Sequence, residues 1–269
     1  MVEQATQRLE EAGVDSPRLD AELLLAAACR STRTKVVADL VEPTVDQFAE
    51  FESFVNRRTA REPLAQIIGR KGFRNIELAV DSRVLTPRPE TELLVAVAKV
   101  DRPCGILDVA TGSGAVALAL ADELPDATIV ASDVSPDALA VARANAERLG
   151  AEITFIESDL LDRIDGVFDV ITANLPYVTS GELVELEPEI TQYEPALALD
   201  GGADGLDLVR RLAAQAPSRL KPGGQIALEI GADQAGATAA ILERHGFFDT
   251  EVHNDLAGHG RVVTGRTKR

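Results

Sequence analysis

Cysteine is scarce in this chain. There are two, Cys29 and Cys104, far apart and without a second pair. That excludes a disulfide framework and a zinc knuckle, and it suits a reducing compartment such as the cytoplasm. Histidine is almost as scarce. His245, His253 and His259 all fall in the last stretch with no i,i+4 pair, so they read as surface or packing residues and no metal site is expected. Basic charge is in deficit, 27 Lys and Arg against 44 Asp and Glu, for a net charge of −17. Residues 1–100 carry 14 basic and 16 acidic side chains, and residues 101–269 carry 13 against 28. A face that acidic repels a phosphate backbone, so direct nucleic-acid binding is not expected. Long apolar runs are missing too. Residues 23–29 and 115–121 are the longest, far short of the roughly 20 residues a membrane helix needs, so no membrane association is expected. The first residues, with Glu3, Glu10 and Glu11, lack a basic n-region and an apolar h-region and are too acidic for a transit peptide. There is no internal repeat and no low-complexity tract. An apolar fraction of 45% over 269 residues supports one large domain, or a core domain with a small companion.

The organising stretch is Asp169-Val170-Ile171-Thr172-Ala173-Asn174-Leu175-Pro176-Tyr177. It begins as a buried strand and breaks at Pro176, which cannot donate to a sheet ladder. An Asn, a backbone carbonyl and a Tyr are therefore presented together where a strand stops. In open α/β sheets ligands bind outside the carboxyl ends of the strands. A planar NH₂ group there could give one hydrogen to the Asn174 side-chain oxygen and the other to the Leu175 carbonyl, with Tyr177 supplying a face. An ordinary Asn-x-Pro turn accounts for the same four residues equally well.

Residues 1–62 read as helices only. Ser16-Pro17 is a cap followed by Pro at the first helical position, and Leu19, Leu23, Leu24 and Ala27 repeat at helical spacing. Thr44 opens a helix whose stripe of Phe48, Phe51, Phe54 and Val55 is the core of a small bundle. Arg57, Arg58, Arg61, Arg70, Lys71 and Arg74 stand against Glu62 alone, either as a solvated face or as a contact surface for an acidic partner. Residues 63–88 read as a hairpin linker, with Ile76, Leu78 and Val80 alternating before Val84-Leu85. Pro89, Glu90 and Glu92 then suit a helix start.

From residue 105 the pattern alternates strand and helix. Strands are expected at 105–109, 128–131, 153–156, 168–173 and 225–230. Helices are expected at 115–123, 136–149, 205–220 and 232–245. Two closing strands, 248–253 and 261–265, have only a short link and should pair antiparallel. The implied fold is a mainly parallel, doubly wound sheet over residues 89–269. Residues 178–204 are weakly periodic and rich in Glu, Pro and Gly, and a loop this long is usually functional.

Asp108-Val109-Ala110-Thr111-Gly112-Ser113-Gly114 sits at the first strand-to-helix turn. Gly112 and Gly114 permit a tight turn and close approach of a ligand to the helix N-terminus. Asp133 ends the second strand at the spacing of a carboxylate that grips ribose hydroxyls. Asp159, with Leu160 beside it, ends the third and can accept from an adenine amino group. This is a site for an adenosine-containing cofactor. Gly112-Ser113-Gly114-Ala115-Val116-Ala117 also fits the dinucleotide fingerprint, so a nicotinamide cofactor stays open. Against it, no His, Lys or Tyr stands in a hydride-transfer arrangement. The closing antiparallel pair and Asn-x-Pro-Tyr after the fourth strand favour S-adenosylmethionine (SAM).

These residues, taken together, resemble the peptide-chain release-factor glutamine methyltransferases of the PrmC/HemK type. The likeness runs from Glu62-Pro63-Leu64-Ala65 through Arg88-Pro89-Glu90-Thr91-Glu92, Thr111-Gly112-Ser113-Gly114 and Asn174-Leu175-Pro176-Tyr177. It continues through Tyr193-Glu194-Pro195, Asp200-Gly201-Gly202-Ala203-Asp204-Gly205, Leu220-Lys221-Pro222-Gly223-Gly224 and Asp255-Leu256-Ala257-Gly258. The resemblance implies a class I SAM-methyltransferase (Rossmann-like) fold. Its sheet would be seven-stranded and mostly parallel with an antiparallel last strand, behind a small all-α N-terminal domain (1–62) that docks the substrate. It implies methyl transfer from SAM, with S-adenosylhomocysteine as product, to the side-chain nitrogen of the glutamine in the Gly-Gly-Gln motif of class I release factors, and a monomer that acts in the cytoplasm. Ala110, Thr111, Gly112, Ser113, Gly114, Asp133, Asp159, Leu160 and Asn174 would hold the cofactor, and Asn174, Leu175, Pro176 and Tyr177 the acceptor. There are two departures from the family pattern. Leu175 stands where a second Pro is usual, as in rRNA adenine-N6 dimethyltransferases, so an adenine methyltransferase acting on rRNA or DNA is the alternative enzyme. Ala110 stands where Gly is common, which would set the loop slightly further from the cofactor.

Overall fold

Periodic burial makes the elements of the first sixty residues. In the computed structural model, which describes residues 1–100 and 104–269, they are α1 (Val2–Glu11), α2 (Pro17–Ala28), α3 (Arg33–Val37), α4 (Val45–Thr59) and α5 (Leu64–Ile68). Leu9, Leu24, Phe51 and Val55 are fully buried among them. Thr44 caps α4 with a reciprocal capping box, its hydroxyl accepting from Gln47 N and the Gln47 side chain accepting from Thr44 N. Ser16 occupies the cap position of α2, but its hydroxyl makes no capping bond. The expected aromatic stripe is narrower than its spacing implies, since Phe48 is exposed.

The chain divides into two units, Met1–Arg70 with Leu186–Tyr193, and Lys71–Glu185 with Glu194–Arg269. The short segment in the first unit decides the fate of the basic cluster. Arg58 donates to Asp20 (2.7 Å) and Glu189 (2.9 Å). Arg61 donates to Glu189 (2.6 Å) and Glu187 (2.8 Å), and Arg57 pairs with Glu62. In the second unit Arg74 pairs with Glu123. Carboxylates of the same chain therefore neutralise these four arginines, and Arg58 and Arg61 are mostly buried while Arg57 stays partly exposed.

The second unit opens within β1 (Arg70–Phe73), which pairs with β2 (Ile76–Ala79) in a two-stranded sheet turned at Arg74. The hairpin lies earlier than the alternation suggested, and Val84-Leu85 is not a strand. Val84 is buried, and Thr86 N is held by the Glu194 carboxylate (3.2 Å), so this segment is a strap rather than a sheet arm.

Then come α6 (Thr91–Ala98), β3 (Gly105–Val109), α7 (Ala115–Glu123), β4 (Thr128–Asp133), α8 (Pro136–Leu149), β5 (Ile153–Glu157) and β6 (Phe168–Asn174). After the long loop, with its short α9 (Pro188–Thr191), follow α10 (Asp207–Gln215), β7 (Leu220–Glu229), α11 (Ala235–Arg244), β8 (Phe248–Asn254) and β9 (Gly260–Arg266). The sheet order is β5-β4-β3-β6-β7-β9-β8. Pairings are parallel from β5 to β7, and β9 is antiparallel to both β7 and β8. This is the seven-stranded, mostly parallel sheet expected. Helix α10 stops short of residue 220 because Pro217 follows, and a proline disfavours helix in the residue before it. Strands β3 and β6 are buried almost throughout, so the carboxyl ends of β3, β4 and β6 form a rigid rim.

Candidate active site

The turn after β3 is built from unusual backbone. Ala110 (φ 56°), Gly112 (φ 56°) and Gly114 (φ 85°) all lie in the left-handed region. At Gly114 a Cβ would stand 2.9 Å from Leu118 Cδ1 and 3.3 Å from Ala142 Cβ, so only glycine fits. Ala110 has no such freedom and costs about 1–2 kcal/mol there. The departure from Gly at this position thus appears as local backbone strain. Buried groups hold the turn in place. The Asp108 carboxylate accepts from the Thr111 hydroxyl (2.6 Å) and the Thr172 hydroxyl (2.8 Å), and burial pushes its carboxyl up to about 6. Asn145 on α8 donates to Ser113 O and Ala79 O, both at 3.0 Å.

Asp133 closes β4 with each oxygen assigned. Oδ2 accepts from Gly112 N and Oδ1 from Ser135 N, both at 2.9 Å. Burial raises its pKa, and these backbone N–H groups hold it back. A carboxylate so fixed keeps lone pairs free on the cavity side. Asp159 is half exposed, and its Oδ2 accepts from Arg211 (2.7 Å).

Asn174 is the last residue of β6, and its Nδ2 donates to the Thr91 hydroxyl (3.3 Å) at the start of α6. Leu175 buries its side chain in the core, so what it can offer a ligand is backbone. The turn is buttressed from behind by residues 199–205. Val178 N donates to Leu199 O (3.1 Å) and Gly201 N to Val178 O (2.8 Å). A Cβ on Gly201 would stand 2.6 Å from Pro176 O, so the approach of the two backbones requires glycine. This gives the Gly201-Gly202-x-Asp204-Gly205 motif a structural role. Next to Asn174 in the parallel register lies Glu229, at the end of β7, only 1% exposed. Burial pushes its carboxyl up to about 7. Thr91 and Asn174 stand beside it and offset part of that burial cost, yet neither closes a hydrogen bond of standard geometry on either oxygen.

A cavity of about 310 Å³ opens among these ends. Of the residues expected at the site, Ala110, Thr111, Gly112, Ser113, Asp133, Asp159, Leu160, Asn174, Leu175 and Pro176 line it. Gly114 and Tyr177 do not. Gly114 serves the turn from behind, and the Tyr177 hydroxyl is held neutral, pushed up to about 12 chiefly by burial and next by Glu229. Two groups of lining residues were missed from sequence, Leu85, Pro87 and Arg88 of the strap and Thr91 of α6, while Pro195 and Leu197 come from the long loop expected to be functional. Glu194 ties the strap to the long loop, accepting from Thr86 N and from Arg88 (2.6 Å). The Arg88-Pro89-Glu90-Thr91 and Glu194-Pro195 motifs were visible, but nothing in their composition joins them. Among the described residues no cluster of His, Cys, Asp or Glu could hold a metal.

Residues 1–69 match the PrmC N-terminal domain, and residues 89–192 match the methyltransferase small domain. A release factor glutamine methyltransferase of Geobacter sulfurreducens is 40% identical over 262 residues, covering 96% of this chain and 92% of that protein. One of Caulobacter vibrioides is 42% identical over 269 residues, covering 97% and 93%. This chain belongs to the release factor glutamine methyltransferases. Among solved structures, a methyltransferase from Pyrococcus furiosus superposes with a TM-score of 0.56 at 17% identity, over 84% of this chain and all of that one. A Thermus thermophilus 16S rRNA N2 G1207 methyltransferase, solved with AdoMet and guanosine, superposes with a TM-score of 0.53 at 18% identity, over 74% and 50%. Both share the methyltransferase fold. Ala110 and Leu175 both line the cavity.

Proposed function

We propose that the protein transfers a methyl group from SAM to the side-chain amide nitrogen of the glutamine in the Gly-Gly-Gln motif of class I peptide-chain release factors. The observation that carries this reading is the Asn174 turn. A carboxamide stands at a strand end on the cavity wall with its nitrogen engaged by Thr91. That leaves Oδ1 as the acceptor for one amide hydrogen of a substrate, with the Leu175 carbonyl for the other. Tyr177 flanks the turn without lining the cavity, so its part is support of the acceptor segment. An adenine amino group is a planar NH₂ as well. Family membership over nearly the full chain and a net charge of −17 favour the protein substrate.

The residues present fit SAM. Asp133, pinned by two backbone N–H groups, is placed for a ribose diol, and the 110–114 turn offers close backbone approach. Asp159, through its Oδ1, and Leu160 would take the adenine side. SAM, when bound, supplies a methyl group on a positively charged sulfur. The chain's own task is orientation. An amide nitrogen is a poor nucleophile because its lone pair is delocalised into the carbonyl. Fixing both of its hydrogens on Asn174 and Leu175 turns that lone pair into the cavity, and the mostly apolar wall excludes water. No base is required before the bond forms, and once the nitrogen carries the methyl it releases one of its two hydrogens as a proton to water. The helical unit is proposed to dock the release factor, through surfaces other than Arg57, Arg58 and Arg61. The test is incubation with labelled SAM and an unmodified release factor beside ribosomal RNA. Label on the glutamine supports the reading, and label on adenine alone overturns it.

A further inference from the structure

Glu229 is a carboxylate that the fold buries with Thr91 and Asn174 beside it as donors, neither of which closes a hydrogen bond of standard geometry on its oxygens. The reaction described above does not use it, and it does not line the cavity. Burying a carboxyl in this way is costly unless something nearby uses it. Its neighbours show what that is. In the β6–β7 register its partner is Asn174. Beside both is Thr91, itself 4% exposed, whose hydroxyl accepts from Asn174 Nδ2. That hydroxyl has one proton of its own to give, and the Glu229 carboxylate is an acceptor standing beside it.

We propose that Glu229 is a positioning residue, which in its ionised form orders the Thr91 hydroxyl and through it turns the Asn174 carboxamide so that oxygen faces the acceptor nitrogen. This rests on the reading of Asn174 as the amide clamp. The two ends of a carboxamide are alike in size, so hydrogen bonds decide which way it points. An ionised Glu229 only accepts. It takes the Thr91 proton, Thr91 then accepts from Asn174 Nδ2, and Asn174 Oδ1 is left toward the cavity. A protonated Glu229 donates to Thr91 instead. The Thr91 proton is then free to go to Asn174 Oδ1, which turns the NH₂ end toward the substrate, where it opposes an incoming N–H. The charged and titratable groups facing Glu229 are Arg261 on β9, which favours the ionised form, and Glu90 ahead of α6, which opposes it. Tyr177 after β6 stays neutral. The carboxyl, pushed up to about 7, then titrates in the working range.

The experiment uses the full chain, wild type and Glu229→Gln, with SAM and a release factor, at pH 5.5 to 8.5. A second readout needs no cofactor: the ¹⁵N–¹H signals of the Asn174 side chain against pH. In the wild type kcat should rise through a midpoint near 7, and the Asn174 signals should move with the same midpoint. Glu229→Gln should lower kcat at pH 8 by roughly 10-fold or more, flatten both profiles and leave the SAM dissociation constant within about twofold. A variant that keeps the wild-type kcat and acid limb overturns the inference. So do wild-type Asn174 signals that do not titrate near 7, a result that stands even if the variant fails to fold. Wild-type protein that transfers no methyl to the release factor overturns the functional reading itself, whereas wild-type turnover with no acid limb overturns this inference alone.

Discussion

Replacing Glu229 by Gln should make the protein more stable at pH 8 and slightly less stable at pH 4. Glu229 lies 1% exposed, and burial lifts its carboxyl from the ordinary 4.5 to about 7. The folded protein therefore holds this proton across a pH range where the unfolded chain has released it. Stability falls with pH wherever the folded state binds more protons. The loss begins above about 4.5 and is complete once pH passes about 7. At about 1.4 kcal/mol for each tenfold change in proton affinity, the burden at pH 8 is about 3 kcal/mol. Gln keeps the shape and never ionises, so the variant escapes that burden. Its own unpartnered amide offsets part of the gain, leaving about 2 kcal/mol, roughly 4–8 °C in a chain of this size. The assay is thermal unfolding of both proteins at pH 4, 6 and 8. Asp108, Asp133 and Glu194, whose pKa values are also raised, contribute equally to both proteins, so the difference isolates Glu229. A difference that stays constant with pH, or a variant less stable at pH 8 than at pH 4 relative to wild type, refutes the reasoning.

Asn174→Ala removes the acceptor for one amide hydrogen, and kcat should fall about 10²–10³-fold with SAM affinity unchanged by calorimetry; near-normal turnover would refute its role. Asp133→Ala strips the partner from Gly112 N and from the ribose, so the SAM dissociation constant should rise roughly 10- to 100-fold, at about 1.5–3 kcal/mol for each hydrogen bond to a charged group. An unchanged constant would refute the ribose assignment. Arg58→Ala leaves Asp20 buried without its partner, and the helical unit should lose about 3–5 kcal/mol in denaturant unfolding, with an unshifted midpoint as the contrary result. Ala110→Gly relieves a left-handed residue and should raise the melting temperature by a few degrees, equivalent to about 1 kcal/mol.

The parts of this site that were legible in the sequence are the ones carried by local chemistry. Gly112 and Gly114 after an apolar run, and Asp133 about twenty residues on, specify a turn and a carboxylate whatever the rest of the chain does. Asn174 before Pro176 specifies a strand end. What was not legible depends on partners distant in sequence. Glu229 is one carboxylate at the end of an apolar strand, and only the β6–β7 register puts it beside Asn174. The arginines at 57, 58 and 61 look like an open basic patch until Glu62 and the segment carrying Glu187 and Glu189 neutralise them. The hairpin was displaced because Val84-Leu85 after a turn reads like a second arm, while Glu194 takes the Thr86 N–H that a neighbouring strand would need. Tyr177 follows Pro176 directly, yet it does not line the cavity.

The most direct measurement is mass spectrometry of a release factor after incubation with this protein and labelled SAM, run beside a substrate whose Gly-Gly-Gln glutamine is replaced by alanine. The account predicts one labelled methyl on the glutamine side-chain nitrogen, and none on the replaced substrate. Label that persists on the replaced substrate, or that appears only on ribosomal RNA, would contradict it.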